Sequence, residues 1–170
     1  MTIYVALLRA VNLGGDSTLP MAELRRLCEE AGFGNVRTYV ASGNVVFESD
    51  EAAPKVKAAL EAALEAYAGK AVPVVLRTAA EMAAVLEANP FADAPGNRVQ
   101  VFFLDEAPGA DALSGVSGKA EDEALRLGER EIYVRYGAAG IGRSKLKIPA
   151  AVTGTARNMN TVAALVEMAG

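Results

Sequence analysis

Residues 3–8 of the chain have the sequence Ile-Tyr-Val-Ala-Leu-Leu, an uncharged run rich in β-forming residues. A short, continuous apolar run is typical of a central strand that is buried on both faces. A polar loop containing Gly follows, and Pro20 then marks the first turn of a helix, where its missing N–H costs nothing. The helix is predicted to end at Gly32, so the chain is expected to open with a β-α unit.

The next elements are predicted to complete a β-α-β-β-α-β unit. Two strands, at 35–41 and 45–49, are joined by Ser42-Gly43-Asn44, a turn that suits a tight hairpin with positive φ. A strand at 72–77 closes the unit. This order is typical of the ferredoxin-like arrangement, an antiparallel sheet with two helices on one face.

The second helix of this unit lies between the hairpin and the closing strand. Ser49 or Asp50 is expected to cap its start, and Gly69 to mark its end. The 3.6-residue spacing of its larger side chains predicts that one face is buried. That face carries Val56, Leu60, Leu64 and Tyr67.

The second half is predicted to be a rearranged, degenerate copy of the first. Thr78 and Glu81 form a Thr-x-x-Glu capping box for a third helix. A strand at 99–104 and a hairpin of 124–127 with 132–136 follow, and Asn160 is expected to cap a last helix. We therefore predict an α+β, tandem ferredoxin-like fold with subdomains at 1–77 and 78–170. Its sheets are largely antiparallel, with helices packed on one face.

Composition excludes several classes of chemistry. The 170 residues contain no histidine, which rules out Ser-His-Asp and Cys-His nucleophiles and nearly all transition-metal sites. The single cysteine, Cys28, lies on an apolar helical stripe and is expected to be a buried core residue in a reducing, cytoplasmic protein. No apolar run approaches the ~18 residues of a membrane helix. No metal, cofactor or membrane contact is predicted.

Four stretches resemble one bacterial family of unknown function, number 1697 among the domains of unknown function. They are Leu-Leu-Arg-Ala-Val-Asn-Leu-Gly-Gly at 7–15, Leu-Pro-Met-Ala-Glu-Leu at 19–24, Ser-Gly-Asn-Val-Val-Phe at 42–47, and the tail at 142–146 with 155–161. The resemblance implies a tandem ferredoxin-like α+β fold and brings no established activity or cofactor.

Three features depart from that family's pattern. Ala10 stands where the family usually has Gly, and Met159 replaces its usual Trp, a flat aromatic on which a ligand could stack. The segment at 147–154 is also short for the helix that the resemblance implies there. Stacking of a base or ring at residue 159 is therefore expected to be weak.

The distribution of charge gives the strongest chemical signal. Residues 78–131 carry four bases against eleven acids, whereas residues 132–166 carry five bases and no acid, within an overall charge of −4. The basic segment includes the glycine-rich run Gly-Ala-Ala-Gly-Ile-Gly-Arg-Ser-Lys at 137–145. Its backbone N–H groups and bases could cradle a phosphate or carboxylate, although the spacing is not that of a P-loop. The alternative is a flexible surface loop with solvated bases.

Three other segments are candidates for the same ligand. The loop after the first strand offers a Gly-Gly turn, the hairpin turn offers a hydroxyl and an amide, and the start of the last helix offers N–H groups. The alternatives are a plain turn, ordinary hairpin chemistry, and N-capping by Asn160 or Asn158 with Arg157 in a structural ion pair. The predicted ligand-binding residues are Arg9, Asn12, Gly14, Gly15, Ser42, Asn44, Arg143, Ser144, Lys145, Arg157, Asn158 and Asn160.

The leading hypothesis is a small binding domain for a phosphate- or carboxylate-bearing ligand. One alternative is a phosphoester- or nucleotide-processing enzyme, although no catalytic residue is predicted. Another is a protein-interaction module that pairs through sheet edges. RNA is a less favoured partner, because the third strand has one aromatic residue and no preceding base. The oligomeric state is left open.

Overall fold

A computed structural model of the chain describes residues 1–9, 19–39 and 43–170. The strands in those ranges are β1 (Thr2–Leu8), β2 (Gly34–Tyr39), β3 (Asn44–Ser49), β4 (Val74–Thr78), β5 (Val99–Phe103), β6 (Ala124–Leu127), β7 (Glu131–Arg135) and β8 (Thr155–Asn158). The α-helices are α1 (Met21–Glu30), α2 (Ala53–Ala68), α3 (Ala79–Glu87) and α4 (Met159–Ala169). None of these helices is both long enough and apolar enough to cross a membrane.

The chain divides into two compact units, and the first consists of Met1–Met82 with Leu165–Gly170. Its sheet has the order β2-β3-β1-β4, and every neighbouring pair is antiparallel. This is the order of a ferredoxin-like unit, as predicted, with β1 in the centre and buried on both faces. Leu24 of α1 and Leu60 of α2 belong to the core on one face of the sheet, where Phe33 stacks on Phe47 with ring centroids 4.3 Å apart.

The second unit, Ala83–Ala164, repeats the strand order of the first. Its sheet runs β6-β7-β5-β8, again with every pair antiparallel. Both crossover connections lack an α-helix, because 3₁₀ turns at Ile141–Arg143 and Pro149–Ala151 and a series of turns after β5 take their place. The second half is therefore a degenerate ferredoxin-like copy, which confirms the predicted fold. The boundary after residue 77 remains a prediction.

Side chains from those two connections pack against one buried cluster of the second unit. Leu113 and Val116 follow β5, and Ile141 follows β7. They pack against a cluster that contains Leu125 and Ile132. The irregular connections thus cover one face of the sheet, in the place that crossover helices take in the first unit.

The ends of the elements show where the predictions were right and wrong. Thr78 and Glu81 form the predicted capping box: the Thr78 N–H donates to Glu81 Oε1 at 2.8 Å and the Glu81 N–H to Thr78 Oγ1 at 3.1 Å. Helix α2 is preceded by Ala52, without a side-chain cap, so the prediction of Ser49 or Asp50 as its cap was wrong. Tyr67 was predicted to be buried, but 43% of it is exposed.

Candidate functional site

The glycine-rich loop at 137–145 is bound by two carboxylates of the chain itself. The Ala138 N–H donates to Asp122 Oδ2 at 3.0 Å, and the Ser144 hydroxyl donates to Glu123 Oε2 at 2.5 Å. The other oxygen of Glu123, Oε1, accepts the Ala120 N–H at 2.8 Å. The predicted anion cradle therefore already holds internal anions at two of its donors.

A backbone bridge fastens the end of this loop to the preceding connection. Ser117 and Lys147 form an antiparallel bridge, with N–H to O distances of 3.0 Å and 2.8 Å. Beside it, Gly118 has φ of +71°, and a Cβ there would lie 2.0 Å from the Lys145 carbonyl oxygen. The Ser117–Lys147 bridge and the hydrogen bond of Ser144 to Glu123 restrain the loop, which argues against the alternative of a flexible surface loop.

Three cations in and after this loop point outward. Arg143, Lys145 and Lys147 are all exposed. No acidic group in the described ranges lies within ion-pairing distance of these three side chains. Since none of the three is held in an ion pair with an acidic side chain of the described ranges, each cation can contact an external anion directly.

Arg157 has a different environment from these exposed cations. It lies in β8, a strand that the sequence did not predict, and its side chain is buried. Its Nη1 donates to Thr155 Oγ1 and to the Ala156 carbonyl oxygen, both at 2.8 Å. Burial lowers the pKa of the guanidinium to about 10, so the group is still charged at neutral pH. These contacts favour a structural role for Arg157, although they are hydrogen bonds to neutral acceptors and the alternative was an ion pair.

Asn158 and Asn160, the two asparagines that follow Arg157, have different roles. Asn158 Oδ1 accepts the Thr161 N–H at 2.9 Å, which makes Asn158 the N-cap of α4. Asn160, which was expected to cap this helix, is exposed inside its first turn, and its side chain lies beside Gly96. The prediction of Asn160 as the cap was wrong, since the helix begins at Met159, two residues before the start that a cap at Asn160 would give.

The remaining predicted residues lie in the first unit. Arg9 is half-buried after β1 and is tied there by its N–H, which donates to the Pro73 carbonyl oxygen at 2.9 Å. Asn44 is fully buried, and its Nδ2 donates to the Tyr39 carbonyl oxygen at 3.0 Å, which favours the hairpin interpretation. Asn12, Gly14, Gly15 and Ser42 lie outside the described residues.

Two surface hollows lie elsewhere in the second unit. One, of about 690 Å³, lies between the segment 113–119 and residues of β6. The other, of about 410 Å³, lies between residues 104–109 and Ala150 with Thr153. Neither is lined by a residue that the sequence predicted for the site. Among the described residues there is also no group of three acidic or cysteine side chains placed to hold a metal ion.

Sequence reasoning missed the part played by Asp122 and Glu123. The acids at 121–123 would be interpreted from the sequence alone as a solvated turn, whereas two of them bind the basic half of the same unit. The signal that could have found them is the charge pattern itself. An acid-rich segment that precedes an acid-free, glycine-rich segment indicates internal pairing as well as a ligand.

Comparison with known proteins supports the fold and the family. A solved structure, of the conserved bacterial protein SP0830 from Streptococcus pneumoniae, is similar over 99% of both chains, with a TM-score of 0.82 and 25% identity. No curated protein matches the chain. Residues 1–133 match the family model described as "Protein of unknown function (DUF1697)", which is more than half of the sequence. The chain therefore belongs to the DUF1697 family.

Proposed function

We propose that this protein binds a small phosphate- or carboxylate-bearing ligand through its exposed basic segment, residues 143–147. The observation that carries the proposal is the set of three outward-facing cations, Arg143, Lys145 and Lys147, without acidic partners in the described ranges. The proposal includes a cytoplasmic setting, which rests on the lone Cys28.

The anchoring of the segment supports binding over simple solvation. Its two ends are held by the Ser144–Glu123 hydrogen bond and by the Ser117–Lys147 bridge. Binding of a ligand would therefore cost less conformational entropy than binding to a disordered loop. Arg143 offers a planar fork of donors, which suits bidentate contact with a phosphate or carboxylate, and Lys145 adds a point charge.

Thermal-shift measurements against phosphosugars, nucleotides and small organic acids test this proposal. A ligand present at 100 times its dissociation constant stabilises the folded protein by about 2.7 kcal/mol, which is a visible shift in Tm. The double variant Arg143→Ala/Lys145→Ala is expected to bind any such ligand at least about tenfold more weakly, because each charge-assisted hydrogen bond contributes about 1.5–3 kcal/mol.

The matched control removes two exposed cations from the first unit. Arg25→Ala/Lys55→Ala changes the net charge by the same amount and breaks only surface ion pairs, at 3.6 Å and 3.2 Å. Equal loss of binding in both double variants would mean a nonspecific charge effect and would contradict the proposal. Turnover of a bound phosphoester by the wild type would favour the enzyme alternative.

A further inference from the structure

The outer edge of β6 carries backbone groups that no strand in the described ranges pairs with, since β6 ends the sheet order β6-β7-β5-β8. The Gly128 N–H donates to the Glu131 carbonyl oxygen at 2.7 Å, and the register then places Arg126 opposite Tyr133. Hydrogen-bonded and non-hydrogen-bonded pairs alternate along an antiparallel ladder. The backbone N–H and C=O of Arg126 therefore point inward and bond to β7. The N–H and C=O groups of Leu125 and Leu127 therefore point outward.

The hollow of about 690 Å³ is lined by Ala124, Leu125 and Arg126 of β6 and by residues of the segment 113–119. Its volume falls within the roughly 300–1,000 Å³ of ordinary ligand pockets. The wall opposite β6 is the segment 113–119, which contributes Leu113 and Val116 and is fastened by the Ser117–Lys147 bridge. The edge strand β6 thus borders a partly apolar groove with a fastened wall, so a strand that paired with β6 would have side-chain contacts as well as backbone pairing.

The two faces of β6 differ in the side chains that they offer. Leu125 packs with Leu113 and Val116 in the core cluster on one face. Arg126 points to the opposite face and is exposed, and the exposed Lys119 also lines the groove. Glu123 is the acid in the lining, but both of its oxygens accept hydrogen bonds from the chain itself. The lining therefore carries two exposed cations against one buried carboxylate, a net positive charge.

We propose that the β6 edge binds an extended peptide segment of alternating apolar and acidic residues, added as a further antiparallel strand. The apolar residues would face Leu113 and Val116, and the acidic residues would face Arg126 and Lys119. Arg126 Nη1 donates at present to the outward-pointing Leu125 carbonyl oxygen at 2.9 Å. In the complex, a peptide N–H donates to the Leu125 carbonyl oxygen in place of Arg126. The Arg126 guanidinium is then able to pair with a carboxylate of the peptide. No residue that lines this groove belongs to the anion-binding segment proposed above.

The test uses an acetylated, amidated hexapeptide of alternating valine and glutamate, with fluorescence anisotropy as the readout. Leu127→Pro removes one outward N–H, and proline is tolerated at such edge positions because the inward ladder is unchanged. Leu127→Ala is the matched control, since it shortens the same side chain and keeps the N–H. We expect Leu127→Pro to bind about five- to tenfold more weakly than Leu127→Ala, the loss of one net hydrogen bond.

Amide hydrogen exchange locates the contact and checks the fold. In the wild type the peptide should slow exchange of the Leu127 amide. The Arg126 amide, which bonds to β7, should be protected both in the presence and in the absence of the peptide. Arg126 must stay protected in Leu127→Pro, which shows that the hairpin is intact. For Arg126→Glu, we expect the preference to shift about tenfold or more toward a valine–lysine hexapeptide.

Three results would overturn the proposal. The first is equal affinity of Leu127→Pro and Leu127→Ala for the valine–glutamate peptide. The second is equal binding of the valine–glutamate and valine–lysine peptides by the wild type. The third is a dimer in solution that Leu127→Pro dissociates, because the edge would then be occupied by a second copy of the chain.

Discussion

Asn158 stabilises the start of α4 through its side-chain oxygen, which accepts the Thr161 N–H at 2.9 Å. We expect Asn158→Ala to lower the free energy of unfolding by about 1 kcal/mol, because an orphan N–H in the first turn loses its acceptor. Urea unfolding followed by circular dichroism measures the change. Asn160→Ala is the control, because its exposed side chain does not cap the helix, and a larger loss in that variant would contradict the assignment.

From the sequence, either Asn158 or Asn160 could be the N-cap of α4, and the local pattern does not distinguish between them. The choice depends on β8, whose four residues, Thr155–Asn158, lack the alternation of larger apolar side chains that identifies a strand. The same missed strand explains Arg157. Composition shows that Arg157 belongs to an acid-free segment, but burial within a sheet follows from pairing with β5, a contact distant in sequence.

At the scale of elements, Gly118 holds the connection after β5 against the glycine-rich loop. Its φ of +71° is strained for other residues, and an added Cβ would lie 2.0 Å from a backbone oxygen, that of Lys145. We expect Gly118→Ala to lower the free energy of unfolding by at least about 2 kcal/mol, from strain and from displacement of the Lys145 backbone. Urea denaturation measures this loss.

Gly142→Ala is the matched control for that prediction. Gly142 lies in the glycine-rich loop that Gly118 contacts, and a Cβ at residue 142 would meet no atom within 4 Å. The substitution should change the free energy of unfolding by less than about 0.5 kcal/mol, as is usual for open surface positions. If the two alanine variants were equally stable, the bridge between the loops would not constrain this part of the unit.

Local patterns predicted elements best where the stabilising bonds are themselves local. The capping box of α3 joins residues three apart, so its two hydrogen bonds could be predicted from Thr78 and Glu81 alone. The start of α2 could not, because Ser49 belongs to β3 and its hydroxyl accepts the Glu51 N–H instead. A polar residue that suits a cap can thus be used by the turn before the helix.

At the scale of the whole molecule, the order of the elements determined how much of the fold could be predicted. A β-α-β-β-α-β succession with short connections leaves few ways to form one antiparallel sheet, and the observed order β2-β3-β1-β4 is the ferredoxin-like one. The second sheet repeats it without crossover helices. The segment 105–118 is rich in Pro, Gly, Ala and Ser, which indicates a loop, but this composition does not show that Leu113 and Val116 pack against the sheet.

Buried ionisable groups give the whole protein a defined alkaline limit. Burial raises the pKa of the Cys28 thiol from 9.0 to about 12, and burial, with a smaller effect of nearby carboxylates, raises the pKa of Tyr133 and of Tyr136 from 10.0 to about 12. Above pH 9 the unfolded chain therefore loses protons that the folded protein keeps. Stability must fall as pH rises through this window.

Between pH 9 and pH 10 we expect the free energy of unfolding to fall by about 1 kcal/mol, mostly through Cys28, as measured by urea unfolding at each pH. Arg157, whose pKa is lowered to about 10, acts in the opposite direction and offsets part of this fall as the pH approaches 10. The interval ends at pH 10 because this offset grows beyond it. Cys28→Ala lowers stability at every pH by opening a cavity, but its curve should be flatter over this interval. An equal slope in the two proteins would mean that the thiol is not the group responsible.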